Sequence, residues 1–132
     1  MSKGRRVLIV EDSSDVAALE ADIVAACGAH AMVVSDGETA LGTIRHERFV
    51  LILLDLTMPN VTGQAILTAL AADADLCQIP VIVVSGSLAG FQPTGQVVAI
   101  LPKPFSADKL TETIQRILTN NGKPAIPQLP NP

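Results

Sequence analysis

The feature that most constrains the fold is an uninterrupted apolar run over residues 49–54, which ends at Asp55. Six apolar residues in a row are too many for a strand with one solvent-facing side and too few for a helix in a domain core. The run therefore predicts a strand covered on both faces, as in parallel sheets. Residues 58–60 break extended structure, which places the Asp55 carboxylate at the carboxyl end of this strand, where open α/β sheets bind ligands. Taken alone, Asp55 could equally begin a turn.

Four further apolar runs predict strands, and most segments between the strands show helical spacing. The strands are expected at residues 7–10, 31–34, 81–84 and 97–101. Helices are expected after Ser13 or Ser14, over residues 38–47, after Gly63 and after Ser106. In the first helix, the residues expected to face the core are Val16, Leu19, Ile23 and Ala26.

Residues 88–96 are an exception to this alternation, because Gly90, Pro93 and Gly95 oppose a regular helix. Only a short or irregular connection is expected there. Elsewhere the connections are long enough for right-handed crossovers, so the chain predicts a parallel α/β sheet. Polar residues that follow the strands then share one edge of the sheet: Glu11, Asp12, Asp55, Ser85 and Lys103.

Composition narrows the classes of function. A net charge of −4 opposes binding to nucleic acid or anionic lipid, which need clustered Lys and Arg, and 2% aromatic residues are too few for base stacking. No apolar run approaches the roughly 18 residues of a membrane span. Cys27 and Cys77 lack metal-ligand or redox spacing and are expected to be buried thiols of a reducing compartment. We therefore expect a cytoplasmic protein that contacts neither nucleic acid nor membrane.

The motifs at the strand ends, taken in order, resemble the receiver domains of two-component response regulators over residues 5–119. The resemblance depends on Val-Glu-Asp at 10–12, Leu-Asp-Leu-Thr-Met-Pro at 54–59 with Gly63 after it, Ser85, and Lys-Pro-Phe at 103–105. It implies a doubly wound, flavodoxin-like sheet of five parallel strands in the order 2-1-3-4-5, with a switch point between strands one and three. Residues 120–132 carry four prolines and are expected to form a flexible tail.

Three carboxylates held together repel one another unless a cation joins them, and oxygen ligands suit Mg²⁺. The resemblance implies that Asp12 and Asp55 bind Mg²⁺ directly, Glu11 mostly through water, and Thr57 through its backbone oxygen. Glu11 stands where the family more often has Asp. An alternative interpretation of Glu11 and Asp12 is that they are acids favoured by the dipole at a helix N-terminus.

The resemblance also implies covalent chemistry at Asp55, whose carboxylate would accept a phosphoryl group as an acyl phosphate. Lys103 would pair with one phosphoryl oxygen and the Ser85 hydroxyl would donate to another. The Lys103–Pro104 bond is cis in the family. The alternatives are a solvated loop lysine for Lys103 and a plain turn residue for Ser85.

Two features depart from the family pattern. Ile100 occupies the position, three residues before the lysine, where most receivers have Tyr or Phe. The stretch from Ser85 to Lys103 is also shorter than usual. Both departures concern the face that commonly signals to partners, and they suggest that activation works through ordering of the loop at residues 85–95.

The predicted function is a signalling module, not an enzyme, that catalyses only its own phosphorylation and dephosphorylation. It would take the phosphoryl group from a histidine kinase or histidine phosphotransfer protein and act by contact with an unknown downstream protein. The sequence leaves open whether the chain forms a homodimer. One alternative is a degenerate receiver that binds partners without phosphorylation. Another is an aspartyl-phosphate phosphatase, although Thr57 stands where haloacid-dehalogenase-like enzymes have a second acid.

Overall fold

The computed structural model describes residues 4–58 and 61–119, which form five strands, four α-helices and a short 3-10 helix. The strands are β1 (Arg6–Val10), β2 (His30–Val34), β3 (Leu51–Leu54), β4 (Val81–Ser85) and β5 (Val97–Pro102). The α-helices are α1 (Ser14–Ala26), α2 (Gly37–His46), α3 (Gly63–Ala71) and α4 (Ala107–Thr119), and the 3-10 helix is Leu76–Gln78. The predicted tail at residues 120–132 lies outside the described residues.

All strand pairs are parallel, and the strand order is β2-β1-β3-β4-β5, which confirms the predicted doubly wound fold. The pairing of β1 with β3 aligns Val10 with Leu54. The amide of Asp55 donates a hydrogen bond to the Val10 carbonyl at 3.1 Å. The residues that follow β1 and β3 therefore emerge side by side at the carboxyl edge of the sheet.

The sheet has an apolar layer on each face, because successive strand residues point to opposite sides. On one face, alternate residues of β1 and β3 pack with α1 and α4; on the other, the intervening residues pack with α2 and α3. All four residues of β3 are at most 1% exposed. This burial confirms the interpretation of residues 49–54 as containing a strand covered on both sides.

The buried face of α1 differs from the predicted one. Ser13 caps the helix by accepting a hydrogen bond from the amide of Val16, as expected. The residues buried in α1 are Ala17, Glu20, Ile23 and Val24, whereas Leu19 is 45% exposed. The prediction from hydrophobic spacing missed this face, because one of its positions carries an acid. Packing of α1 against both the sheet and α4 sets the rotation of the helix instead.

The connection from β4 to β5 contains no helix among the described residues, in agreement with the prediction of an irregular segment. Phe91 packs against the apolar layer on the α2 and α3 face. Gln64 of α3 holds the loop by two hydrogen bonds to the backbone of Gln92: its amide nitrogen donates to the carbonyl at 3.1 Å, and its oxygen accepts from the N–H at 2.8 Å.

Two expectations from composition can be compared with the structure. Cys27 and Cys77 are free thiols, but both are only partly buried, so the expectation of buried thiols was wrong. Cys77 lies in the short 3-10 helix and Cys27 follows the exposed end of α1, where packing covers a side chain on one side only. None of the helices in the described part of the chain has the length and apolar character needed to cross a membrane.

Candidate functional site

Three carboxylates meet at the carboxyl edge of the sheet. Glu11 and Asp12 follow β1, Asp55 follows β3, and one oxygen from each of the three lies within 4.8 Å of the others. Glu11 and Asp55 are 1% and 2% exposed, whereas Asp12 is open to solvent. We call Glu11, Asp12 and Asp55 the carboxylate cluster. Two of its acids are buried, and the cluster is open to solvent on the side of Asp12, where a ligand can enter.

Lys103 reaches this carboxylate cluster from the end of β5. Its ammonium lies 2.8 Å from Oε1 of Glu11 and donates a hydrogen bond to Oδ2 of Asp55 at 3.2 Å. The Lys103 amide also donates to the Ser85 carbonyl at 3.0 Å, and the Lys103–Pro104 bond is cis. Lys103 is thus an ion-pair partner of two buried acids rather than a solvated loop lysine.

The protonation of this ion pair follows from its surroundings. Burial raises the pKa of Glu11, although hydrogen bonds from Lys103 and from the Ser13 amide partly oppose the rise. For Lys103, burial acts to lower the pKa, but the hydrogen bond to Glu11 and the negative charges of Asp55 and Glu11 outweigh it, so that the pKa is raised. Lys103 therefore carries a full positive charge at neutral pH.

A tight turn after β3 orients the Asp55 carboxylate. The amide and the hydroxyl of Thr57 both donate to Oδ1 of Asp55, at 3.0 and 3.2 Å, so the two carboxylate oxygens have different partners. Gly63 packs against this turn, where a Cβ atom would lie 2.3 Å from the Asp55 carbonyl oxygen. Only glycine allows α3 to begin so close to the backbone of Asp55 and Leu56.

Ser85 lies at the end of β4, but its hydroxyl makes no hydrogen bond to the carboxylate cluster among the described residues. It donates to the Ser87 carbonyl at 2.9 Å and accepts from the Ser87 amide at 3.3 Å. The side chain is buried, with 2% of its surface exposed. The Ser85 hydroxyl at the end of β4 is therefore paired with Ser87 in this structure, and its role toward a phosphoryl group stays a prediction.

The sequence interpretation missed Glu20, a buried acid of α1 whose protonation depends on the charges of the site. Glu20 is 1% exposed. Its burial, reinforced by the charges of Glu11 and Asp55 and opposed by that of Lys103, raises its pKa to about 8. One signal was available in the sequence: Glu20 is three residues from both Ala17 and Ile23, on one helical stripe with them.

The donor set fits a hard divalent cation. Carboxylate oxygens with a solvent-open side suit Mg²⁺, which binds one or two carboxylates and keeps several waters. Lys103 supplies one positive charge against the three negative charges of the carboxylate cluster, so the group keeps excess negative charge that a cation can neutralise. Thr57, whose backbone oxygen is the predicted additional ligand, belongs to the same turn as Asp55.

Comparison with known protein families and curated sequences gives consistent matches. The family model of the response regulator receiver domain matches residues 7–115. The polar-differentiation response regulator DivK of Brucella anthropi is 33% identical over 118 residues, which cover 86% of this chain and 96% of DivK. The transcription factor SKN7 of Saccharomyces cerevisiae is 31% identical over 98% of this chain. The chain spans only 21% of the length of SKN7.

Solved structures share the same fold. The chemotaxis response regulator CheY4 of Vibrio cholerae is 25% identical, with a TM-score of 0.77, over 87% of this chain and 99% of CheY4. The response regulator Rcp1, solved in a form with Mn²⁺ bound, is 25% identical, with a TM-score of 0.71, over 96% of this chain and 99% of Rcp1.

Proposed function

Because the chain belongs to the response regulator receiver family, whose members are signalling domains that bind Mg²⁺ at an acidic pocket, we propose that it accepts a phosphoryl group on Asp55. The donor is a histidine kinase or a histidine phosphotransfer protein, and the phosphorylated chain signals by contact with a downstream protein. The observation that carries this proposal is the pairing of Asp55 with Lys103 within the carboxylate cluster.

The transfer is a displacement at phosphorus. An oxygen of Asp55 forms a bond to phosphorus while the bond from phosphorus to the donor's imidazole nitrogen breaks, and the imidazole keeps the electron pair. The product is an acyl phosphate on Asp55. Thr57 keeps the carboxylate oriented through Oδ1, and the Lys103 ammonium at Oδ2 is placed to pair with a phosphoryl oxygen.

A divalent cation would be held by Glu11, Asp12, Asp55 and the backbone oxygen of Thr57. When bound, such an ion neutralises charge on the transferring phosphoryl group. The oxygen-only donor set and the Mn²⁺-bound form of the related regulator Rcp1 support this assignment. We propose residues 5–119 as the receiver domain, an interval that includes the family match over residues 7–115.

Readout of the phosphorylated state is proposed to pass through Ser85 and the loop at residues 85–95. To donate to the phosphoryl group, the Ser85 hydroxyl has to leave Ser87, with which it forms its present turn. Ile100, where most receivers have an aromatic ring, is 43% exposed and has no hydroxyl or ring to follow that movement. Backbone NMR with and without beryllofluoride and Mg²⁺ tests this readout. Unchanged chemical shifts from residue 85 to residue 95 would contradict it.

The phosphorylation itself is tested by incubation with acetyl phosphate and Mg²⁺, followed by intact mass measurement. The wild type should gain about 80 Da, the mass of one phosphoryl group that replaces a proton, and Asp55→Asn should gain nothing. Asp108→Asn, at an exposed position in α4, is the matched control and should behave as the wild type does. No gain in the wild type would favour a receiver that binds partners without phosphorylation.

A further inference from the structure

Glu20 is a buried acid without a hydrogen-bond partner for one of its oxygens. The side chain is 1% exposed, and no described residue donates to its Oε1 atom. Its neighbours on the buried face of α1 are Ala17, Ile23 and Val24, which are all apolar. An unpartnered carboxyl group in such a position destabilises the fold. Packing alone would favour an apolar residue here, so the acid requires another explanation.

The charges that act on Glu20 belong to residues at the carboxyl edge of the sheet. They are those of Glu11 after β1, Asp55 after β3 and Lys103 after β5. The helix that packs against α1, α4, contributes no titratable group from its buried face, which consists of Leu110, Thr113, Ile114, Ile117 and Leu118. Within the described part of the chain, the charges that act on Glu20 thus belong to the functional site, whereas its neighbours on the buried face of α1 are apolar.

We propose that Glu20 is a fourth acid of the site, which gives up its proton when a divalent cation binds the carboxylate cluster. This inference rests on the cation site proposed above, but Glu20 is not one of its ligands. Three carboxylates and one ammonium leave a net charge of about −2 at the site, which an ionised Glu20 would make about −3. The two positive charges of a divalent cation neutralise the negative charge that opposes ionisation of Glu20. Glu20 can then lose its proton, which passes to the buffer.

The direction of the coupling follows from linkage. Burial holds the pKa of Glu20 near 8, so the carboxyl group is mostly protonated at pH 7. Added positive charge nearby favours the ionised form, so binding of a cation releases protons. By reciprocity, the affinity for the cation rises as the pH rises through the range in which Glu20 ionises.

Calorimetric titration with Mg²⁺ tests this coupling, with the experiment run at pH 7.5 in two buffers of different ionisation enthalpy. The difference in heat gives the number of protons released per bound ion. We expect the wild type to release a substantial fraction of one proton and Glu20→Gln to release clearly less. The Mg²⁺ affinity of the wild type should rise by roughly three- to tenfold between pH 7 and 9, because each linked proton changes affinity at most tenfold per pH unit. The affinity of Glu20→Gln should rise less.

Glu112→Gln, at an exposed position of α4, is the matched control and should release as many protons as the wild type. If Glu20→Gln does not fold, Glu20→Leu replaces it in the experiment, because this variant also lacks the titrating carboxyl group. Equal proton release by the wild type and the Glu20 variant would overturn the proposal while leaving the cation site intact. Absence of Mg²⁺ binding by every variant would instead overturn the cation site, and this inference with it.

Discussion

At the scale of single residues, Lys103 pairs with two acids of the described site. Its ammonium bridges Glu11 and Asp55, two acids that are almost fully buried. Without it, like charges would face each other with little water between them. The sequence could place Lys103 on the correct edge of the sheet, but the sharing of one lysine by two acids depends on side-chain geometry.

Replacement of this lysine should therefore weaken the fold. We expect Lys103→Met to lower the free energy of unfolding by about 1–3 kcal/mol at pH 7. The loss is smaller than for a fully buried ion pair because the Lys103 side chain is partly exposed. The loss should shrink towards pH 4, as Glu11, whose pKa is raised by burial, takes up a proton. Urea unfolding at both pH values measures the effect. Lys109→Met, at an exposed position, should change little, and an equal loss in both variants would argue against the ion pair.

Glu20 should lower stability in a pH-dependent way. Its pKa rises from an ordinary 4.5 to about 8 in the folded protein, so the folded state holds a proton that the unfolded state releases between these values. The contribution of Glu20 to the stability of the wild type must therefore fall as pH rises through this window. With EDTA present, we expect the stability advantage of Glu20→Gln over the wild type to grow by about 2–4 kcal/mol between pH 5 and 8.

Urea unfolding of both proteins at pH 5, 6.5 and 8 provides the measurement for Glu20. Glu112→Gln should show no such trend, because that side chain is exposed. A difference between wild type and Glu20→Gln that stays constant across the range would mean that Glu20 has an ordinary pKa.

At the scale of elements, the beginning of α3 determines where the Asp55 turn can lie. The Gly63 amide donates to the Leu56 carbonyl at 3.1 Å, and a Cβ atom at Gly63 would lie 2.5 Å from the Leu56 Cα atom. These contacts join the helix to the backbone that carries the proposed phosphoacceptor. The motif in the sequence pointed to Gly63, but only the structure identifies the backbone atoms that exclude a side chain.

Alanine at this position should separate the helix from the turn. We expect Gly63→Ala to lower the free energy of unfolding by about 1–3 kcal/mol, because the backbone has to move to remove the overlap. Gly42→Ala is the matched control within α2: a Cβ atom there has no neighbour within 4 Å. It should raise stability by about 0.5–1 kcal/mol. Thermal unfolding of both variants measures these changes in stability. A similar change in stability in both variants would contradict the close contact at Gly63.

At the scale of the whole molecule, the two apolar layers share the strands of one sheet. Residues of β1 and β3 alternate between the layers, so neither layer can be lost while the other keeps its strands. This arrangement indicates a single cooperative unit for the described residues. The extent of the receiver domain, residues 5–119, stays a prediction.

Cavities made on opposite faces should therefore weaken the same transition. We expect Ile66→Ala in α3 and Ile114→Ala in α4, both at fully buried positions, each to lower stability by about 2–5 kcal/mol. Unfolding followed by far-ultraviolet circular dichroism should stay a single transition in both. Leu19→Ala, at a position 45% exposed, should cost less than about 1 kcal/mol. Two separate transitions in either core variant would show that the layers unfold independently.

The sequence by itself determined that the sheet is parallel, that both its faces are covered and on which edge the site residues gather, whereas the strand order was implied by the resemblance to receiver domains. The first three are consequences of apolar runs and of handed, parallel connections, which depend on residue type and spacing along the chain. Glu11, Asp12, Asp55 and Lys103 could be assigned to one edge for this reason.

Only the tertiary structure decided which side chains meet. The Ser85 hydroxyl pairs with Ser87, Lys103 pairs with two acids, and α1 buries Glu20 while it exposes Leu19. Each outcome depends on the rotation of a helix or on a torsion angle, and contacts between segments distant in sequence set both. Hydrophobic spacing treats an acid as a solvent-facing residue, so it could not reveal an acid that the packing of α1 keeps away from water.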